Sequence, residues 1–233
     1  MQRKIPFVND EYHHIFNRGT DKRPIFLDQA DYERYLISMY FLNTQEGNLM
    51  AKWRDFKRLN RAARISDFKI IKPEERLVDI ICYCLNENHY HKILKQLKDK
   101  GIETFMQKLG TSYAMYFNKK YNRVGALFQG PFKSVFIDSN EYFLYLSVYV
   151  NANNFIHDYK RFQGEALGIS QGLALESWQY CSLPNYFGQR DGVLCNMKPI
   201  LDQFKNIEEY KEFVQNNALY LKDKKELEKL ILE

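Results

Sequence analysis

Hydrophobic and polar positions along the chain change period several times, and each change marks an element. Glu11 to Arg18 reads as a first strand, which Gly19-Thr20-Asp21 breaks. Asp28 is placed to cap a helix over Gln29 to Leu42, where Tyr32, Tyr35, Leu36, Met39 and Tyr40 recur at helical spacing. Leu49 to Ala63 predicts a second helix. Leu49, Trp53, Phe56, Leu59 and Ala63 form its apolar stripe, and Lys52, Arg54, Lys57, Arg58, Arg61 and Arg64 cover much of the rest. Asp79 to Leu85 and His89 to Leu94 read as strands joined by the polar turn Asn86-Glu87-Asn88. A helix over Ile102 to Tyr121 follows, then a loop over Gly125 to Gly130 and a fourth strand over Phe132 to Ile137. Ser139 is an N-cap for a helix over Glu141 to Asn153.

The order strand, helix, insert, strand, strand, helix, strand, helix predicts an α+β fold. It is a ferredoxin-like antiparallel sheet with helices on one face. Residues 1–158 form the expected main domain, with a basic helical insert at about 45–76, and residues 159–233 a C-terminal helical extension. In that extension Gly164 to Gly172 reads as loop and Glu176 to Tyr180 as an aromatic segment docked on the core. Ile207 to Leu219 and Lys224 to Leu232 read as two terminal helices.

Composition narrows the function classes. A chain of 233 residues with 45% hydrophobic content can build its core without disulfides. Its four cysteines form no Cys-x-x-Cys pair, which suits a reduced, cytoplasmic setting. No run of eighteen apolar residues predicts a membrane span, and Met1 to Pro6 lacks the apolar stretch of a secretory signal. The net charge of +5 is compatible with a nucleic-acid partner. Aromatic residues reach 15%; they can fill a core or stack on bases. The basic insert helix is either a solvated face or a phosphate-tracking surface.

The chemistry-bearing signal is His89-Tyr90-His91. Only five histidines occur, and two of them stand two apart in a predicted strand. Side chains at i and i+2 share a strand face, so these imidazoles can grip one metal ion, although the same pattern serves packing. On the helix over Glu141 to Asn153, Tyr149 and Asn153 are four apart and share a face. An amide oxygen can ligate a hard cation while a phenol attacks phosphorus. His13 and His14 are adjacent, face opposite ways on their strand, and read as structural.

Several segments, in order, resemble one family. They are Tyr12 to Gly19, Pro24 to Leu27, Asn88 to His91, Leu127 to Ser134, Glu141-Tyr142 and Ser147 to Asn153. The chain looks like a single-tyrosine HUH transposase of the repeat-element-associated kind found in bacteria. Gln45 to Arg76 looks like an insertion. The resemblance implies the HUH endonuclease fold, with Tyr149 as nucleophile and His89, His91 and Asn153 as ligands of Mg²⁺ or Mn²⁺. It implies nicking and strand transfer on single-stranded or hairpin DNA through a 5′-phosphotyrosine, in the bacterial cytoplasm at the nucleoid. Monomer and homodimer are both open. Arg18, Arg123, Gln129 and Lys133, with Arg58 and Arg61 of the insert, are the expected DNA contacts.

Three places in the chain depart from the family pattern. Asn86-Glu87 stands where Met-Pro is common, Lys92 where leucine often follows the second histidine, and Asn154 where proline often ends the nucleophile helix. These departures keep a second reading open, that of a domesticated, catalytically silent DNA-hairpin-binding protein. A relaxase or replication initiator would share the metal motif, but the short chain lacks a helicase segment.

Overall fold

The structure is a computed structural model that describes residues 6–60, 67, 71, 73–157, 175 and 177–231, with backbone alone for 226–231. Strand β1 (Tyr12–Arg18) leads through a 3-10 turn at Thr20–Lys22 to helices α1 (Gln29–Phe41) and α2 (Leu49–Leu59). Strands β2 (Val78–Asn86) and β3 (His89–Gln96) follow, then α3 (Gly101–Lys120) and β4 (Lys133–Phe136). Helices α4 (Asn140–Asn151), α5 (Asn153–Ile156), α6 (Leu183–Tyr186), α7 (Lys198–Leu201) and α8 (Ile207–Ile231) complete the described chain.

The four strands form one sheet in the order β2-β3-β1-β4. That order places β3 between β1 and β2, the split arrangement expected from the element order. Strands β1 and β4 run antiparallel, with His13 opposite Phe136 and Phe16 opposite Lys133. Strand β2 is buried along its whole length, and β3 nearly so, whereas β4 alternates exposed and half-buried positions.

By contact density the chain divides into two units. The first comprises residues 1–80, 87–89 and 94–136, the second residues 81–86, 90–93 and 137–233. In the first unit α1 packs on α3 around an aromatic cluster. Phe26 stacks on Tyr32 at 4.5 Å, and Tyr113 meets Tyr35 edge-on at 4.9 Å. All four rings are essentially inaccessible to solvent. Core packing therefore accounts for much of the aromatic content. Glycine is required at position 19, because a Cβ there would collide with the Arg23 carbonyl oxygen.

In the second unit the outer edge of β2 is closed by the chain near Tyr180. Leu85 N–H donates to the Tyr180 carbonyl at 3.0 Å, Ser182 N–H donates to the Tyr83 carbonyl at 2.9 Å, and the backbones of Cys84 and Cys181, both free thiols, pair antiparallel. Covering the edge removes a row of open backbone groups. Trp178 is buried and donates its indole N–H to the Leu85 carbonyl at 3.0 Å, so it packs rather than stacking on a base.

Caps fall where side-chain chemistry demands them. Asp28 accepts from the Asp31 N–H at 3.1 Å, and Ser139 from the Tyr142 N–H at 3.2 Å. Three boundaries differ from the sequence expectation. The helix expected through Asn153 pauses at Ala152 and resumes as α5. The two expected terminal helices are one, Ile207–Ile231, because no glycine or proline interrupts residues 219–224. The basic helix, expected through Ala63, ends at Leu59 with Asn60 as its non-helical C-cap, while Arg61, Ala63 and Arg64, like the loop expected over Gly164 to Gly172, lie outside the described residues.

Along β3, Tyr90 and Lys92 share the face opposite His89 and His91. Lys92 is fully buried, with Nζ 3.2 Å from the Tyr90 ring centroid, and burial pushes its ammonium well below the usual lysine range.

Two outcomes are expected. Replacing Asp28 by alanine lowers unfolding free energy by about 1 kcal/mol, the typical worth of an N-cap. The Lys120 ammonium beside Asp28 holds its carboxyl below the ordinary 3.8, so this stabilisation is present above that value and lost as pH falls through the folded pKa. Denaturant titrations of both proteins converge in acid. Replacing Lys92 by leucine removes a buried titratable amine, and its effect on unfolding free energy is more favourable at neutral pH than in alkali. Because its folded pKa is depressed, the cost of Lys92 is relieved as pH climbs towards the ordinary 10.5. A pH-independent effect would contradict the depressed pKa of Lys92.

Candidate active site

The histidine pair lies on β3, which the two-residue turn Glu87-Asn88 joins to β2. Backbone bonds anchor that turn within the first unit. The Glu87 carbonyl accepts from the Ile25 and Phe26 N–H groups at 2.8 and 3.0 Å, and the Asn88 carbonyl from Gly19 N–H at 2.9 Å. His89 and His91, two residues apart, share a face and are 4% and 9% exposed.

Asn88 sets the tautomer of His89. Its amide nitrogen donates to the Lys22 carbonyl at 2.9 Å, which fixes the amide orientation and turns Oδ1 to the imidazole. The Oδ1 to Nδ1 distance is 2.6 Å. An amide oxygen only accepts, so Nδ1 carries the proton and the ring lone pair is on Nε2. The sequence pattern marks Asn88 only as a turn residue. Its position immediately before a candidate ligand was the available signal.

In the second unit, α4 brings Tyr149 against His91. Their ring centroids are 5.5 Å apart at 83°, an edge-on contact between residues 58 positions apart in sequence (149 − 91). Tyr149 is half-buried, and its hydroxyl lies 3.4 Å from Nε2 of His157. The other ring nitrogen of His157, Nδ1, is bonded by the Lys225 ammonium from α8. An ammonium only donates, so Nδ1 accepts, the neutral ring carries its proton on Nε2, and that N–H points to the Tyr149 oxygen. His157 was missed in the sequence, yet Tyr149, Asn153 and His157 recur at four-residue intervals, the period of one helix face. Nothing local in the sequence pointed to Lys225.

Asn153 is fully buried at the start of α5. Its Oδ1 accepts from the Asn86 amide at 2.7 Å, while Asn154 donates to Asn86 Oδ1 at 3.5 Å. Two departures from the family pattern, Asn86 and Asn154, thus meet each other and hold Asn153. Among the described residues no group of three or more His, Cys, Asp or Glu side chains converges as a metal cage. Lys92 points to the opposite strand face from the histidines and does not compete there.

The expected DNA-contacting residues fall as follows. Arg18, half-buried at the end of β1, accepts the Gln129 backbone N–H on its carbonyl at 2.9 Å, so these two positions are neighbours. Lys133 is exposed on the edge strand opposite Phe16. Arg123, just beyond α3, bonds Asn118 Oδ1 at 3.4 Å and covers the Phe117 ring. Arg58 is exposed near the end of α2, and Arg61 lies outside the described residues. His13 and His14 are buried; burial pushes the His14 imidazole down to about 4, so it is neutral at pH 7, in keeping with a structural role.

Among the described residues no helix is long and apolar enough to cross a membrane. No family model matches the chain, and no curated protein matches it. Among solved structures, it is similar to a REP-associated tyrosine transposase bound to a REP hairpin. The identity is 10% and the TM-score 0.45, with 84% of this chain and 97% of that chain covered.

Proposed function

We propose that this chain nicks and rejoins single-stranded DNA beside a hairpin, through a 5′-phosphotyrosine on Tyr149, with a divalent metal at His89 and His91. The observation that carries the reading is the edge-on contact of Tyr149 with His91, supported by the Asn88 contact that puts the His89 proton on Nδ1 and its lone pair on Nε2. The donor set of two imidazoles and an amide oxygen, from Asn153, suits Mg²⁺ or Mn²⁺. Such a cation would draw charge off the non-bridging phosphate oxygens.

The protein's own part is positioning. Tyr149 oxygen bonds to phosphorus as the phenolic proton passes to water, which returns a proton to the leaving oxygen. The P–O3′ bond breaks, and the products are a free 3′ hydroxyl and a 5′-phosphotyrosine. A free tyrosine has a pKa near 10, so the phenol needs help. The His157 N–H directed at the Tyr149 oxygen orients it and supports negative charge there. Because the phosphotyrosine keeps the ester bond, a 3′ hydroxyl can reverse the step without a nucleotide cofactor. Arg18, Gln129, Lys133 and Arg123, and the exposed Arg58, would take backbone phosphates.

One observation favours the alternative of a silent hairpin-binding protein. Asn153 Oδ1 is already engaged by Asn86, and Asn153 is fully buried.

The two readings separate cleanly. With a hairpin-bearing oligonucleotide and Mg²⁺ or Mn²⁺, the enzyme reading expects a covalent protein–DNA adduct on a denaturing gel. Tyr149→Phe abolishes it and His91→Ala lowers its rate by about 100-fold or more. Absence of adduct together with salt-dependent hairpin binding that survives His89→Ala and Tyr149→Phe establishes the silent binder. Asn88→Ala is expected to weaken Mn²⁺ binding about 10–100-fold, the usual effect of losing a ligand's orienting partner. Nitrogen NMR of His89 in the same variant, without metal, should change from a single Nδ1–H tautomer to a mixture.

A further inference from the structure

Away from Tyr149, the first unit holds a cavity of about 670 Å³ between α1, α2 and α3. That volume lies within the range of roughly 300–1,000 Å³ typical of small-ligand sites. Its apolar lining comes from Ile37, Phe41, Leu49 and Trp53. Cations surround it, with Arg34, Arg54, Lys57 and Lys108 lining the cavity against the one carboxylate of Glu46.

Two groups in this cavity have unmet demand. Arg34, half-buried, gives one N–H to Ser112 Oγ at 3.1 Å and another to the Met50 thioether at 3.5 Å, and its guanidinium lies 5.4 Å from the Tyr116 ring centroid. Thioether sulfur is a weak acceptor, and a guanidinium has five donors. Among the described residues no carboxylate pairs with Arg34. Burial accordingly pushes it below the ordinary arginine range. Glu46 presents the opposite need. Its Oε1 takes the Lys52 ammonium at 3.0 Å, whereas its Oε2 is buried with no hydrogen-bond partner among the described residues. Leaving such groups unpaired is costly. Lys108 fixes the loop that carries Glu46, donating to the Thr44 carbonyl and to the Glu46 carbonyl at 3.5 Å.

A ligand that satisfies the cavity needs an anionic group for Arg34, an N–H donor for Glu46 Oε2 and a flat apolar body for the lining. Inorganic phosphate meets the first demand alone. A fatty acid would leave Glu46 Oε2 without a donor. We propose that this cavity is a nucleotide site, taking phosphate at Arg34 and an amino-bearing base whose exocyclic N–H₂ donates to Glu46. The nucleotide is either free or one unit of a single strand; the two share this chemistry. The site stands on its own observations and does not depend on the reading of Tyr149.

Calorimetric titration of the full chain tests it, with dAMP, dCMP, dTMP and inorganic phosphate, then with six-residue oligo-dA, oligo-dC and oligo-dT. Expected is binding of dAMP or dCMP, or of the matching oligomers alone if the unit sits in a strand. Preference over the thymine counterpart and over phosphate should be about tenfold or greater. Arg34→Gln weakens binding by about tenfold or more, and Glu46→Gln, on the loop between α1 and α2, narrows the preference over thymine. Glu46→Gln decides the question where Arg34→Gln does not fold. Binding by no nucleotide or oligomer at millimolar concentration, or binding indifferent to Arg34 and Glu46, overturns the assignment. Adduct formation at Tyr149 is scored separately, so failure here and failure of the strand-transfer reading are distinct results.

Discussion

Alternation of side chains along β3 is the constraint on which the candidate site depends. A strand period of two sends His89 and His91 to one face and Tyr90 and Lys92 to the other. A slip of one residue would exchange the imidazoles for a buried amine and a phenol. The register is guarded from the turn: carbonyls of Glu87 and Asn88 take N–H groups from Gly19, Ile25 and Phe26. Lys92 sits buried over the Tyr90 ring and carries the cost of that face.

Asparagines do much of the remaining positioning, and the reason is chemical. An amide offers donor and acceptor on one rigid fork without net charge, so it can be buried when both ends are met. Asn88 gives its nitrogen to Lys22 and its oxygen to His89, converting a turn geometry into a ring tautomer. Asn86, with Asn153 on one side and Asn154 on the other, ties the start of the hairpin turn to α5 within the second unit. Ser182 extends the pattern, bonding both the Asn151 amide oxygen and the backbone of Tyr83. Asn86, Asn153 and Asn154 are therefore partners in one set of amide hydrogen bonds.

How much was legible depended on whether a residue's role is set by near neighbours in sequence. The caps Asp28 and Ser139, the four strands and the shared face of His89 and His91 follow from local chemistry and short periods, and all are found. The pause at Ala152 and the unbroken α8 were misplaced by a few residues, since helix ends depend on what the flanking turns pack against. Long-range roles were less visible. Trp178 read only as part of a segment docked on the core, and its indole N–H bond to the Leu85 carbonyl, 93 residues away, carried no local signal. His157 carried a readable four-residue spacing from Tyr149 and Asn153, whereas Lys225 joins it from 68 residues further on.

By itself the sequence determined the order of elements, the strand that bears two imidazoles on one face and the helix that bears the phenol, because these rest on backbone periods and capping chemistry. Only the tertiary structure decided that Tyr149 meets His91, that the Asn88 amide oxygen accepts from His89 Nδ1–H, and that Arg34 and Glu46 line one cavity with their demands unmet. Those outcomes require residues far apart in the chain to be held within a few ångströms, and no local period encodes such a distance.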